Sequence, residues 1–95
     1  MSAYFVFTRE KMLDPKEMEI YSQQVRATFA GHPVKVLAAY GQHEDVEGVP
    51  TEGTVIAEFP SMEAAKAWYD SPAYREVREH RLLGAIYHAI LVQGV

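Results

Sequence analysis

EFPSMEAAKAWYDSPAYREVREHR, residues 58–81, is the stretch whose reading decides the fold. Phe59 ends an apolar strand, Pro60 stops it, and Ser61 can accept from the unpaired backbone amides that open the next helix. Ten residues later Ser71 and Pro72 repeat the device, a cap followed by a first-turn proline whose φ is already helical. Proline disfavours helical backbone in the residue before it, so the helix with the inner stripe Met62, Ala65, Trp68 and Tyr69 breaks there. A further helix carries Tyr74, Val77, Arg78 and Arg81 and ends near Gly84.

Working outward, residues 54–59 (TVIAEF) alternate, with Val55, Ala57 and Phe59 on one face and Ile56 and Glu58 on the other. Residues 41–53, rich in glycine and acids, form the loop before that strand. Residues 34–40 (VKVLAAY) read as a strand. So do residues 86–92 (IYHAILV) and residues 3–9 (AYFVFTR), the latter apolar enough to be buried on both faces. Between the first two strands, Asp14 and Pro15 open a helix, with Glu17 placed for a capping box. Met18, Tyr21, Val25 and Phe29 make its apolar stripe, and Gly31 ends it.

The order strand, helix, strand, strand, helix, strand predicts one α+β domain over residues 1–95, a ferredoxin-like βαββαβ sandwich with a four-stranded antiparallel sheet. Helices on one face leave the other uncovered, although all four strands are apolar at nearly every position. A homodimer joined through that sheet face is expected, burying about 800 Å² per partner.

Composition narrows the function classes. The chain has 95 residues, 48% hydrophobic and 23% charged, which excludes disorder and a membrane span. Its start carries no export pattern, so a cytoplasmic location is expected. Zero cysteines exclude disulfides, thiolate nucleophiles and cysteine metal sites. Nine basic against thirteen acidic residues, net −4, argue against nucleic acid as a partner.

In order and spacing, several features resemble the family of small proteins grouped as domain of unknown function 1330, within the dimeric α/β-barrel superfamily. They are Gly41 with Glu47 and Gly48; Glu58, Phe59, Pro60 and Ser61; Trp68, Tyr69, Ser71, Pro72 and Tyr74; Arg81; and Leu91, Val92, Gly94 and Val95. The resemblance spans almost the whole chain. It implies a ferredoxin-like fold and a dimer whose sheets form a barrel, and no particular reaction. Gln42 and Gln93 depart from the second glycine and the terminal acid that family members often carry. More distant relatives in the superfamily include cofactor-free monooxygenases, muconolactone isomerases and haem enzymes, which place their ligand between sheet and helices.

The candidate chemistry is spread thinly. Glu58 stands among apolar neighbours and could be a general base, or a paired carboxylate in a dimer interface, the commoner fate of a buried charge. Arg81 and Arg78, one turn apart, could clamp a substrate carboxylate or form a solvated face. Tyr74 could offer a phenol to a pocket or be a core ring bonded locally. His43 and Glu47, in the acidic loop, are candidate ligand-binding residues, although a solvated loop is the simpler reading. The four histidines show no metal-ligand spacing, so no metal and no cofactor is expected. Glycine-rich phosphate loops and serine nucleophile elbows are also missing. Two functions remain: a small-molecule binding protein or cofactor-independent enzyme, with Tyr74, Arg81, His43, Glu47 and Glu58 around a pocket between the sheet and the broken second helix, or a non-catalytic structural or interaction homodimer.

Overall fold

The computed structural model describes residues 1–95. The chain runs β1 (Ala3–Met12), α1 (Pro15–Gln24), a 3₁₀ turn (Arg26–Phe29), β2 (Lys35–Ala39), β3 (Gly53–Phe59), α2 (Met62–Tyr69), α3 (Pro72–Gly84) and β4 (Ala85–Gln93). The strands form one antiparallel sheet in the order β2-β3-β1-β4. No helix is long and apolar enough to cross a membrane.

The helix starts form as their sequences dictate. Asp14 is extended and accepts from the Lys16 amide, Ser61 from Ala64, and Ser71 from Tyr74, each satisfying an amide the helix leaves unpaired. Glu17 does not close the expected capping box. Its carboxylate instead meets His80 Nδ1 at 2.5 Å, tying α1 to α3. The first helix also stops earlier than the apolar stripe suggests, at Gln24, and tightens into the 3₁₀ turn. That turn lets Thr28 Oγ1 donate to the Val25 carbonyl while accepting from Trp68 Nε1 at 3.0 Å.

β1 runs past Arg9 because it keeps pairing with β4 across a bulge between Arg9 and Lys11. Register sorts the two faces of the sheet. The rows Phe5 with Ala57 and Leu91, and Phe7 with Val55 and Ala89, face the helices; the rows Tyr4 with Glu58 and Val92, and Val6 with Ile56 and Ile90, face away. The core is therefore aromatic: Phe5, Phe7 and Phe59 from the sheet against Trp68 and Tyr74 from the helices. Trp68 is its centre, with ring centroids 4.1 Å from Tyr74, 5.5 Å from Phe29 and 5.6 Å from Phe59.

Burial on both faces of β1 does not occur within the chain. Ala3, Phe5 and Phe7 are buried, whereas Tyr4, Val6 and Thr8 are only partly covered. On the same outer face Ile86, Ile90 and Val92 of β4 are 45–47% exposed. The molecule is two layers, with Cα extents of 31 × 30 × 17 Å, and nothing within the chain covers the far side of the sheet.

Candidate functional site

On the helix side of the sheet, a cleft of about 540 Å³ opens between the strands and α1 with its 3₁₀ turn. Phe7, Val36, Ala39, Val55 and Ala57 form its floor; Tyr21 and Ser22 of α1, Val25 at its C-cap and Arg26 and Phe29 of the turn form one wall. Trp68 and Arg81 close it from α2 and α3, and Tyr40 and Tyr87 bound its end. The volume is within the usual range for small-molecule sites, roughly 300–1,000 Å³.

Two tyrosine pairs and one arginine supply its polarity. Tyr40 and Tyr87 join through their hydroxyls across the width of the sheet. Local backbone makes that span possible: Tyr40 has φ +56, and its ring lies over Gly53, where a Cβ would come within 2.6 Å of Tyr40 Cδ1. A side chain at position 53 would therefore displace the ring, and a non-glycine residue in the left-handed region marks a local cost that the rest of the fold must offset. Arg9, ion-paired to Glu52 at 3.1 Å, lies 5.0 Å from the Tyr40 ring centroid and steadies it further.

Deeper in, Tyr21 and Tyr74 share a hydrogen bond of 2.8 Å, and Arg81 Nε donates to the Tyr74 oxygen at 3.3 Å. Burial, reinforced by Tyr74, pushes the Tyr21 phenol far above its ordinary value, and burial with the Tyr40 hydrogen bond pushes Tyr87 up as well. Both stay protonated at any ordinary pH. Arg81 is only 4% exposed. Burial works against its charge, but the tyrosine oxygens around it, Tyr74 foremost, leave its pKa above the usual arginine value. Its Cζ lies 5.3 Å from the Phe7 ring centroid and 5.1 Å from that of Tyr87. No carboxylate comes within ion-pairing distance; the chain's ion pairs are Arg9–Glu52, His43–Asp45 and His80–Glu17.

Of the residues singled out from the sequence, Arg81 lines the cleft and the others do not. Tyr74 is fully buried behind it, a core ring whose hydroxyl links Arg81 to Tyr21. Glu58 is on the opposite face of the sheet, where Tyr4 donates to it at 3.2 Å and Lys35 is its register partner. A residue one step from Ala57 and Phe59 along a strand must point away from both, so Glu58 cannot reach the cleft. Arg78 parts from Arg81, its guanidinium 4.5 Å from the Tyr69 ring centroid and its Nε buried without a partner. His43 and Glu47 are exposed in the loop. There His43 Nε2 lies 3.6 Å from Asp45 and 3.2 Å from the Thr51 carbonyl, and the Thr51 hydroxyl and amide hold the Asp45 carboxyl below its usual pKa. The cleft is also displaced from the expected place: it lies beneath α1 and the 3₁₀ turn, not at the α2–α3 break.

Tyr21, Tyr40 and Tyr87 are the residues that sequence reasoning missed. Alternation along β4 places Tyr87 on the helix face with Ala89 and Leu91, and Tyr21 is on the recognised stripe of α1. Nothing local announces that their hydroxyls meet partners from other elements. No group of three histidine, aspartate or glutamate side chains converges on a metal-sized site.

Solved structures share the fold. RPA0582, a protein of unknown function from Rhodopseudomonas palustris, aligns over 99% of this chain and 82% of its own, with 19% identity and a TM-score of 0.77. A dimeric ferredoxin-like protein of unknown function from Thermobifida fusca aligns over 99% and 92%, with 13% identity and a TM-score of 0.70. SnoaB, a cofactor-independent oxygenase from Streptomyces nogalater, aligns over 99% and 93%, with 14% identity and a TM-score of 0.64. At these identities the likeness establishes a ferredoxin-like fold and no activity. No curated protein matches the sequence. The family model for the domain of unknown function DUF1330 matches residues 2–95, and the chain belongs to that family.

Proposed function

We propose that the protein is a small-molecule binding protein or cofactor-independent enzyme of the dimeric α/β-barrel type, its ligand held in the cleft between the sheet and α1. The observation that carries this reading is a single one: a cleft of about 540 Å³ with an aromatic lining reaches a buried arginine that has no acidic partner. A cavity kept open beside a charge the protein does not neutralise is expensive unless something else occupies it.

The hydrogen-bond chain suggests how the site meets its ligand. The Arg81 guanidinium donates into the Tyr74 oxygen, which makes Tyr74 the stronger donor toward Tyr21. In that order the Tyr21 hydrogen is left for the cleft, a donor beside a positive charge. Such a pair would stabilise an oxyanion in a bound molecule. Neither a carboxylate nor a histidine lines the cleft, which favours binding, or turnover whose base is the ligand itself, over acid–base catalysis by the protein. SnoaB, described as a cofactor-independent oxygenase, offers one precedent for chemistry without a cofactor on this fold.

A thermal-shift screen of aromatic acids, lactones, haem and flavins tests the reading, since a ligand selective for the native state raises the melting temperature. A hit on the wild-type protein is expected to vanish in Ala39→Trp, which fills the rim from β2. Hits that persist in that variant would put the binding elsewhere, and a blank screen would favour the alternative, a non-catalytic structural or interaction homodimer.

A further inference from the structure

We propose that the ligand of this cleft is an organic carboxylate on a flat, ring-containing body, its two oxygens paired with the terminal nitrogens of Arg81. The inference rests on the small-molecule reading above and narrows it to a charge and a shape.

The charge follows from what Arg81 lacks. It is 4% exposed, and its nearest compensation is two ring faces, Phe7 and Tyr87, and one neutral hydroxyl. Ring faces offset a cation weakly compared with an anion. Tyr74 takes the Nε hydrogen, so the edge formed by the two Nη nitrogens is unspent. That edge has the spacing for a bidentate carboxylate. The wider lining agrees. Although the chain carries thirteen acidic residues against nine basic ones, the charged residues lining the cleft are Arg81 and Arg26. A cation would meet repulsion there, and an anion would not.

The shape follows from the rest. Seven of the fourteen lining residues are Phe, Val or Ala, and the Tyr40 and Tyr87 hydroxyls are spent on each other and the Trp68 N–H on Thr28, which leaves too few free polar groups to satisfy a sugar or a polyphosphate. The ligand's charge must therefore sit at one end of an apolar body. Trp68, Phe29, Tyr40 and Phe7 offer rings to pack against such a body, which suits an aromatic or fused-ring acid.

Matched probes separate this inference from the reading beneath it. 2-Naphthoate and 2-naphthamide share one body and differ in charge. Their binding can be followed on ¹⁵N-labelled protein through the indole N–H of Trp68, the chain's one tryptophan and part of the cleft wall. The carboxylate is expected to shift that signal with about tenfold or greater preference over the amide, as one charge-assisted pair would give. Arg81→Gln should remove the preference, and Arg26→Gln, which takes the second positive charge from the cleft wall, should at most reduce it.

Equal binding of acid and amide to the wild-type protein would overturn the carboxylate assignment and leave the small-molecule site standing. Loss of the preference in Arg26→Gln and not in Arg81→Gln would overturn the role given to Arg81. If neither probe moves the indole signal at millimolar concentration, the cleft does not accept flat organic molecules and both readings fall. The comparison of acid with amide on the unaltered protein decides the charge question even if Arg81→Gln does not fold.

Discussion

Tyr74 has no exposed surface, and its hydroxyl joins Arg81 to Tyr21. Tyr74→Phe keeps the ring against Trp68 and removes only that link. It leaves one Arg81 donor and the Tyr21 hydroxyl without a protein partner, so a loss of about 1–3 kcal/mol in urea unfolding is expected; a change of a few tenths would mean the chain of hydroxyls contributes nothing. The buried phenols also set the alkaline limit. Tyr21 and Tyr87 have pKa values raised above the ordinary 10.0, so the folded protein keeps protons that the unfolded chain releases above that pH. Their contribution is complete below pH 10.0 and is lost as pH rises through the folded values, Tyr21 contributing more than the less buried Tyr87. Denaturant titrations between pH 9 and 11 should show that fall, and Tyr21→Phe should flatten part of it. Tyr74 and Arg81 were both visible as candidates in the sequence. Their roles were not, because a phenol at helical spacing reads the same whether it faces a cleft or backs one.

The two longer helices pack through their smallest residue. A Cβ on Gly84 would come within 2.8 Å of Met18 Cγ and 3.0 Å of the Met18 backbone nitrogen. The methionine side chain can yield; the backbone of α1 cannot. The same glycine's carbonyl accepts from the amides of Leu13 and Asp14 at 2.8 and 2.9 Å, so α1 is held where the collision would occur. Gly84→Ala is expected to destabilise the fold by about 1–3 kcal/mol, more than the 0.5–1 kcal/mol, roughly, that alanine recovers by propensity. A thermal melt checks it, and an unchanged or raised midpoint would show that α1 can shift freely. At this scale the sequence was most legible. Caps at Asp14, Ser61 and Ser71 and the alternation of β3 are local, and each appears where local chemistry puts it. The early end of α1 was hidden because the apolar stripe continues unbroken into the 3₁₀ turn, and the hydrogen bond that ties the turn to the core, Trp68 to Thr28, joins residues 40 apart in the chain.

The bare side of the sheet governs the molecule as a whole. Val6, Ile56, Ile86, Ile90 and Val92 share that face, and nothing in the chain covers it. A second copy packed face to face would bury it, with about 800 Å² per partner as the usual scale. Ile90→Asp puts a charge into that face without touching the aromatic core or the cleft. Sedimentation velocity at micromolar concentration is expected to give a dimer for the wild-type protein and a monomer for the variant. A wild-type monomer would remove the second copy from the account and leave the cleft unaffected, since the cleft is on the other face. By itself the sequence determined the element order, the caps, the two faces of β3 and the excess of apolar surface, because all of these depend on neighbours a few residues apart. Only the tertiary structure decided that Tyr21, Tyr40, Tyr87, Trp68 and Arg81 enclose one cleft while Glu58, His43 and Glu47 lie outside it, because the cleft's lining draws side chains from all eight elements, and no local pattern encodes such a meeting.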